Sequence, residues 1–278
     1  MEIANIDLHG THIVQTPHNG SKFIELNLEF DNNKIQNISS KLIDVVLNPN
    51  KTMYDKFLSL EEQVQEWLDT PVGFLDTELQ PTSHLDMALN GSYLANFINQ
   101  IQLSESNADI SCTSFANVIK GFDKNVTVRD ILSTYPYPNT LVVFEVNRKY
   151  LKLALERCAS YFDYQDNNIT ISDTFLKPKV EHYNYDYFAN IDYTFDITKE
   201  VGERVTSIIY KGKELDDNTT LTLVMNNYRA SGAGGYEFYT ECKIVKEILM
   251  EMPDIIIDYF KNNKNVSVDK SKYLTVIK

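Results

Sequence analysis

Several groups of residues in this chain have types and spacings that could do chemistry. His9 and His12, three apart beside Gly10, have the residue types of a metal site. Histidines at that spacing share a face only on a helix, and this segment reads as loop and strand with no acidic third ligand close by. His18, His84 and His182 stand isolated and read as ordinary surface or core histidines. Asp216 with Asp217 and Asp163 with Asp166 are paired carboxylates, but glycoside hydrolysis needs two such groups about 5–10 Å apart across a cleft, and these pairs read as acidic surface loops. Ser231-Gly232-Ala233-Gly234-Gly235-Tyr236 follows a strand-like run, LTLVMNNY. It lacks the spacing of a dinucleotide fingerprint, yet its glycines allow close backbone approach to a ligand or a plain flexible turn. There is no G-x-S-x-G elbow, P-loop or H-E-x-x-H.

The tyrosines are more informative. There are 17, and several stand in loop-like settings: Tyr135 and Tyr137 in TYPYPNT, Tyr183, Tyr185 and Tyr187 in HYNYDYF, and Tyr228 in NNYRASG. A core aromatic follows a period of 2 or 3.6, whereas these lie beside Pro, Asn and Gly. Exposed rings on loops suit stacking on a planar group, at roughly 1–3 kcal/mol per stacked base; the alternative is that they cap the edge of a core.

The elements that must position these residues change character along the chain. Thr11 to Val45 alternates in three strand-like runs, HIVQT, FIELNLEF and KIQNISSKLIDV, with turns at Pro17-His18-Asn19-Gly20 and Asp31-Asn32-Asn33; this predicts a small β-meander. Tyr54 to Leu68 places Phe57, Leu60, Val64, Trp67 and Leu68 on one helical face, with Ser59 and Glu62 spaced as a capping box and Asp69-Thr70-Pro71 as a stop. Beyond Val72 the pattern mixes types. Helices are predicted at Ser92 to Ile101, from Thr127 through Asp130, along the stripe Leu151, Ala154, Leu155 and Cys158, and over Ile244 to Phe260 with a break near Pro253. Strands are predicted at Ala108 to Phe115, Leu141 to Val146, Ile191 to Ile197, Val205 to Tyr210, Leu221 to Met225 and near Leu274. The predicted class is α+β.

Composition limits the partners. The chain has 278 residues, 39 acidic against 26 basic, for a net charge of −13, a field that repels nucleic-acid polymers and anionic lipid. A small phosphate ligand held by local groups stays open. Cys112, Cys158 and Cys242 are three, widely spaced, and form no CxxC pair, so a disulfide framework is excluded while one bridge stays open. The start shows no export signal and no window reaches a membrane span.

The runs TYPYPNTLVVFEVNRKYLKLALERCASYF, HYNYDYFANIDYTFDITKEVGERVTSIIYKGKEL and LTLVMNNYRASGAGGYEF, in that order, resemble the C-terminal domain of the 5'-nucleotidase family. Within it they look most like the 2',3'-cyclic-nucleotide 2'-phosphodiesterase/3'-nucleotidase branch. The resemblance implies three regions: residues 1–47 as the terminal strands of a metallophosphoesterase domain, 48–71 as a linker helix, and 72–278 as the substrate-binding domain. It implies a nucleobase held between two rings, which fall by position on Tyr137 and Tyr228, about ninety residues apart. Further substrate contacts are implied from Asn139, Asn227, Arg229, Ser231, Gly232, Gly234, Ser114 and Phe115. Where many members carry an aspartate in a G-G-D-G loop, Gly234 stands here, and Ser111 to Phe115 stands in place of an N-G-G-G-I-R segment.

The resemblance also implies two divalent metals in a preceding catalytic domain whose ligands, like its catalytic His-Asp pair, have no counterpart here; the last metal-binding histidines of that domain lie upstream of the stretch that Leu8 to Phe30 resembles. The expectation is therefore a chain that carries no metal or catalytic residue, binds a mononucleotide or nucleoside, and does not hydrolyse it alone. Two further expectations are a homodimer formed through the exposed strands and, for full-length members, an extracellular, cell-surface or periplasmic location. The rival readings are an interaction module that keeps the fold and a subunit completing an active site in trans.

Overall fold

The computed structural model describes residues 2–46 and 48–278. It divides into two units, residues 1–63 and 64–278. The boundary expected at 47/48 includes Leu47, which lies outside the described residues.

The first unit contains two separate hairpins. β1 (Ile3–Leu8) pairs with β2 (Thr11–Gln15), and β3 (Lys22–Asp31) pairs with β4 (Lys34–Asp44). The single meander expected from Thr11 onward is thus two two-stranded sheets, because Ile3–Leu8 supplies a partner for HIVQT. Asn32 and Asn33 both take positive φ, 46° and 62°, as a tight hairpin turn requires. α1 (Lys51–Leu68) begins earlier than Ser59: the Asn50 side chain caps it by accepting from the Met53 N–H at 3.1 Å. Ser59 therefore sits inside the helix, where its hydroxyl accepts from Gln63 Nε2 at 3.3 Å.

In the second unit, β5 (Pro71–Leu75), α2 (His84–Asn90) and α3 (Tyr93–Ser106) lead to β6 (Ile110–Thr113) and β7 (Asn125–Thr127). Next come α4 (Val128–Thr134), β8 (Leu141–Asn147), α5 (Arg148–Ala159), β9 (Phe162–Gln165) and β10 (Asn168–Ile171). After them follow β11 (Tyr187–Ala189), β12 (Asp192–Asp196), β13 (Val205–Tyr210), β14 (Lys213–Glu214) and β15 (Thr220–Asn226). The chain closes with α6 (Asn227–Ala230), β16 (Lys243–Ile248), α7 (Met252–Asn262), β17 (Asn265–Val266) and β18 (Leu274–Ile277). The main sheet has the order β11-β6-β15-β8-β16, with β15 antiparallel to β8 and parallel to β6. A four-stranded sheet, β14-β13-β12-β18, and a three-stranded one, β17-β5-β7, flank the helices.

Side-chain caps set the helix starts. Ser92 accepts from the Ala95 N–H, and Thr127 and Asp130 form a reciprocal capping box at α4, as their spacing predicts. The Leu151, Ala154, Leu155 and Cys158 stripe is fully buried, because α5 packs it on β8 and β13. LVVFEV is buried on both faces since β8 lies inside the sheet.

A further expectation fails. Residues 244–248 belong to a strand rather than a helix, and Pro253 lies in the first turn of α7 rather than interrupting it. Proline is well placed there, where its missing N–H would have no intrahelical partner. All three cysteines are free thiols. Among the described residues, no helix is long and apolar enough to cross a membrane.

Candidate functional site

Two chain reversals in the main sheet create the site. At the first, α4 ends at Tyr135, and the Pro136-Tyr137-Pro138-Asn139 segment crosses to the start of β8. The Asn139 carbonyl accepts from the Met252 N–H at 2.8 Å and the Thr140 carbonyl from the Asn227 N–H at 2.9 Å, which staple this segment to two other elements. Tyr135 is 3 % exposed and Tyr137 45 %, so two tyrosines separated by a single proline part company. At the second, β15 runs into the single turn α6. The Asn226 side chain caps it by accepting from the Arg229 N–H at 2.8 Å. This turn sends Tyr228 outward, 42 % exposed, and Arg229 inward, 1 % exposed.

Tyr137 and Tyr228 line one cleft of about 300 Å³ with Asn139, Ser114 and Phe115. No ring contact joins Tyr137 to Tyr228 among the described residues; Tyr228 instead meets Tyr183, centroids 6.3 Å apart at 74°. The rest of the lining comes from Ala116, Thr134, Tyr135, Pro136, Lys179, Tyr183 and Asn226. The cleft has no aspartate, glutamate, histidine or cysteine in its lining. Of the loop tyrosines, Tyr185 and Tyr187 are core residues, Tyr135 is buried yet forms part of the cleft wall, and Tyr137, Tyr183 and Tyr228 also line the cleft.

The structure keeps Asn227, Arg229, Ser231, Gly232 and Gly234 out of that lining. Asn227 and Ser231 are exposed, and the Ser231 hydroxyl donates to the Tyr228 carbonyl at 2.7 Å, closing the turn. Arg229 forms a buried ion pair with Asp186 at 2.8 Å. It also donates to the Tyr183 carbonyl at 3.0 Å and to the Ala233 carbonyl, and its guanidinium lies 3.9 Å from the centre of the Tyr236 ring. Burial pushes the Asp186 carboxyl above its usual range, against the pull of the Arg229 guanidinium. The glycine loop wraps this cation: Gly232 and Gly234 take φ of +85° and +80°, and a Cβ at 234 would lie 2.7 Å from Arg229 Nη1 and collide with Asn184 Oδ1. Arg229 thus ties Tyr183 and the glycine loop together beneath the rings.

The Lys179–Tyr183 segment is pinned from behind. The His84 and His182 rings stack with centroids 4.0 Å apart at 21°. The Asn117 side chain accepts from the His182 N–H at 3.0 Å and donates to the Val180 carbonyl at 2.8 Å; its own carbonyl lies 3.0 Å from His84 Nε2. Burial pushes the Tyr161 hydroxyl well above its usual range, and this hydroxyl lies 2.7 Å from His182 Nδ1. Burial and the neighbouring His84 hold His182 down to about 4, and burial also lowers His84. The folded chain therefore binds these protons more weakly than the unfolded one, whose imidazoles titrate near 6.5. The stability they contribute is complete above about pH 6.5 and is lost progressively as pH falls toward 4. Thermal melts across this window should show a falling midpoint, and His182→Asn should flatten that fall; an unchanged slope in the variant would contradict the assignment.

The isolated chemistry-bearing residues find ordinary roles. His12 Nε2 lies 2.8 Å from the Ser40 hydroxyl in the hairpin unit, and Asp216 accepts from the N–H groups of Asn218 and Thr219 in its own turn. Among the described residues, no group of three His, Cys, Asp or Glu side chains comes together as a metal site would require.

Residues 71–241 match the model of the 5'-nucleotidase C-terminal domain. The chain is similar to the trifunctional nucleotide phosphoesterase YfkN of Bacillus subtilis, 26% identical over 51% of this chain and 11% of that protein. It is also similar to a 2',3'-cyclic-nucleotide 2'-phosphodiesterase/3'-nucleotidase of Salmonella typhimurium, 30% identical over 43% of this chain and 20% of that one. It therefore spans only a minor part of these curated relatives. Among solved structures, a Staphylococcus aureus protein assigned as a 5'-nucleotidase superposes on all of this chain and 54% of its own, with a TM-score of 0.87 and 30% identity. With the cleft, its two separated rings and this match over most of its second unit, the chain belongs to the 5'-nucleotidase C-terminal domain family.

Proposed function

We propose that the cleft binds the base of a nucleotide or nucleoside, stacked between Tyr137 and Tyr228, and that this domain supplies substrate specificity to a phosphoesterase of nucleotide catabolism. The observation that carries the reading is the convergence of two half-exposed tyrosines from distant segments on one cleft, with no contact between their rings. The names of the two curated relatives above, a nucleotide phosphoesterase and a cyclic-nucleotide phosphodiesterase/3'-nucleotidase, support the same substrate class.

Bond cleavage is not assigned to this cleft. Its hydroxyl side chains, Ser114 and Thr134 among them, have no carboxylate or imidazole beside them in the lining to act as base. The residues described here also do not fit a two-cation centre, which needs clustered carboxylates and histidines. In this reading the hydrolytic centre belongs to other residues, and the chain alone binds without hydrolysing.

Titration with adenosine and inosine 3'-monophosphates, followed by calorimetry, tests the reading. Tyr137→Ala and Tyr228→Ala should each weaken binding by a factor of roughly 5 to 150, the equivalent of roughly 1–3 kcal/mol per stacked base. Both side chains are surface-exposed, so the variants should melt near the parent temperature. Absence of binding at millimolar ligand would remove the proposal.

The second reading, an interaction module, draws on a different feature. Along α1, Tyr54, Phe57, Leu60 and Trp67 are all more than half exposed, an apolar row of the kind that partner surfaces present. The exposed strands of the hairpin unit, with Phe23, Leu26, Leu28 and Phe30, offer the surface for the proposed homodimer.

A further inference from the structure

We infer that this cleft selects a purine carrying a carbonyl at its 6-position, as in hypoxanthine or guanine, over adenine, and that Lys179 makes the selection. The inference rests on the base-binding reading above and adds to it the identity of the edge that is read.

The lining holds one charged side chain, Lys179, and no carboxylate. Asn226 is already committed: its Oδ1 accepts from the Arg229 N–H and its side chain also engages the Tyr135 hydroxyl. The Tyr183 hydroxyl accepts from Lys179 Nζ at 2.9 Å and donates to Glu181 at 3.0 Å. An ammonium has three donors and no acceptor, so after binding Tyr183 it still presents N–H groups. The hydrogen bond to Tyr183 raises the Lys179 pKa, which keeps the group charged at neutral pH. The chain as a whole carries 13 net negative charges, and this cation is therefore a local exception facing the cleft.

Geometry places it beside the stack rather than within it. Lys179 Nζ lies 5.3 Å from the Tyr183 ring centre, and the Tyr183 ring stands at 74° to that of Tyr228. A base lying parallel to Tyr228 would meet Tyr183 and its ammonium at right angles, as a lateral contact rather than a face-on one. Lysine donates well to O6 and N7 of a 6-oxopurine, whereas the 6-amino group of adenine would set donor against donor.

Inosine and adenosine isolate this difference, because they differ only along the 6-position edge and carry no phosphate. Calorimetric titration should give a Kd for inosine about tenfold below that for adenosine, and Lys179→Met should abolish the gap by weakening inosine alone. The side chain is exposed, so the variant should keep the parent melting temperature. Equal affinities for the two nucleosides in the parent would overturn the inference. So would a Lys179→Met effect confined to 3'-monophosphates and equal for both bases, which would make Lys179 a phosphate contact. Binding that is equal for both bases yet lost in Tyr137→Ala sinks only the selectivity. No binding of either nucleoside, with 3'-monophosphate affinity unmoved by Tyr137→Ala, sinks the base site itself.

Discussion

Arg229→Ala should destabilise the protein by about 3–5 kcal/mol, the largest effect expected of any single change near the cleft. The side chain is almost fully buried and pairs with a carboxylate that is equally buried. Truncation would leave the buried Asp186 carboxyl without the guanidinium it pairs with, in a medium that solvates charge poorly. The carbonyls of Tyr183 and Ala233 would also lose their donor. For a unit of this size, a loss of about 3–5 kcal/mol lowers the melting midpoint by roughly 10 °C. Replacing both partners, as in Asp186→Leu with Arg229→Met, should recover most of that loss, because the cost lies in the unpaired charge rather than in the absence of the pair. A single-variant loss under about 1 kcal/mol would show that the pair is not buried as described. The double variant serves a second purpose: if it regains stability but not ligand affinity, Arg229 acts on the cleft by holding Tyr183 and the glycine loop in place.

Gly234→Ala should be nearly as damaging, and for a different reason. The residue sits at φ +80°, where a side chain costs about 1–2 kcal/mol of backbone energy. The added methyl would press on Asn184 and Arg229, neither of which has room to retreat, and overpacking of this kind costs typically about 1–3 kcal/mol. Gly212 provides the comparison: it has φ +77° with nothing within 4 Å of its would-be Cβ. Gly212→Ala should show the backbone cost alone, and Gly234→Ala should exceed it by about 1–3 kcal/mol. Equal losses, measured by denaturant unfolding, would mean that the loop relaxes around the methyl. The same crowding explains why glycine stands where the resemblance places an aspartate: a carboxylate at 234 would have to enter the space that Asn184 and Arg229 fill.

How much of this was legible in the sequence depended on whether the deciding interaction was local. The Thr127–Asp130 capping box and the α5 stripe were readable because a helix start and a packed helical face are written at spacings of three and four. The Asn32-Asn33 turn was readable because asparagine tolerates positive φ. Residues 244–248 misled because Lys243–Ile248 is an edge strand with five exposed positions in succession, so no burial alternation marked it as β. Tyr137 and Tyr228 were found through the family resemblance, whereas nothing local separated them from Tyr135, Tyr185 and Tyr187, whose burial is decided by distant partners. Lys179 and Asn226 were missed for the same reason. One is an ordinary surface lysine and the other a helix cap until the fold brings them to the same cleft. Arg229 shows the converse: the resemblance offered it as a substrate contact beside Tyr228, and only the tertiary structure reveals that it turns inward to pair with Asp186.

That opposite orientation of two adjacent residues has a consequence for how the protein can change. Tyr228 and Arg229 belong to one helical turn, yet one meets solvent and the other anchors the interior. Substitutions at 137, 179 and 228 should therefore redirect recognition while leaving the fold's tolerance intact, whereas those at 186, 229 and 234 draw on the fold itself. A library varied only at the first three positions should yield folded members throughout, making this cleft a practical starting point for engineering receptors for other planar molecules.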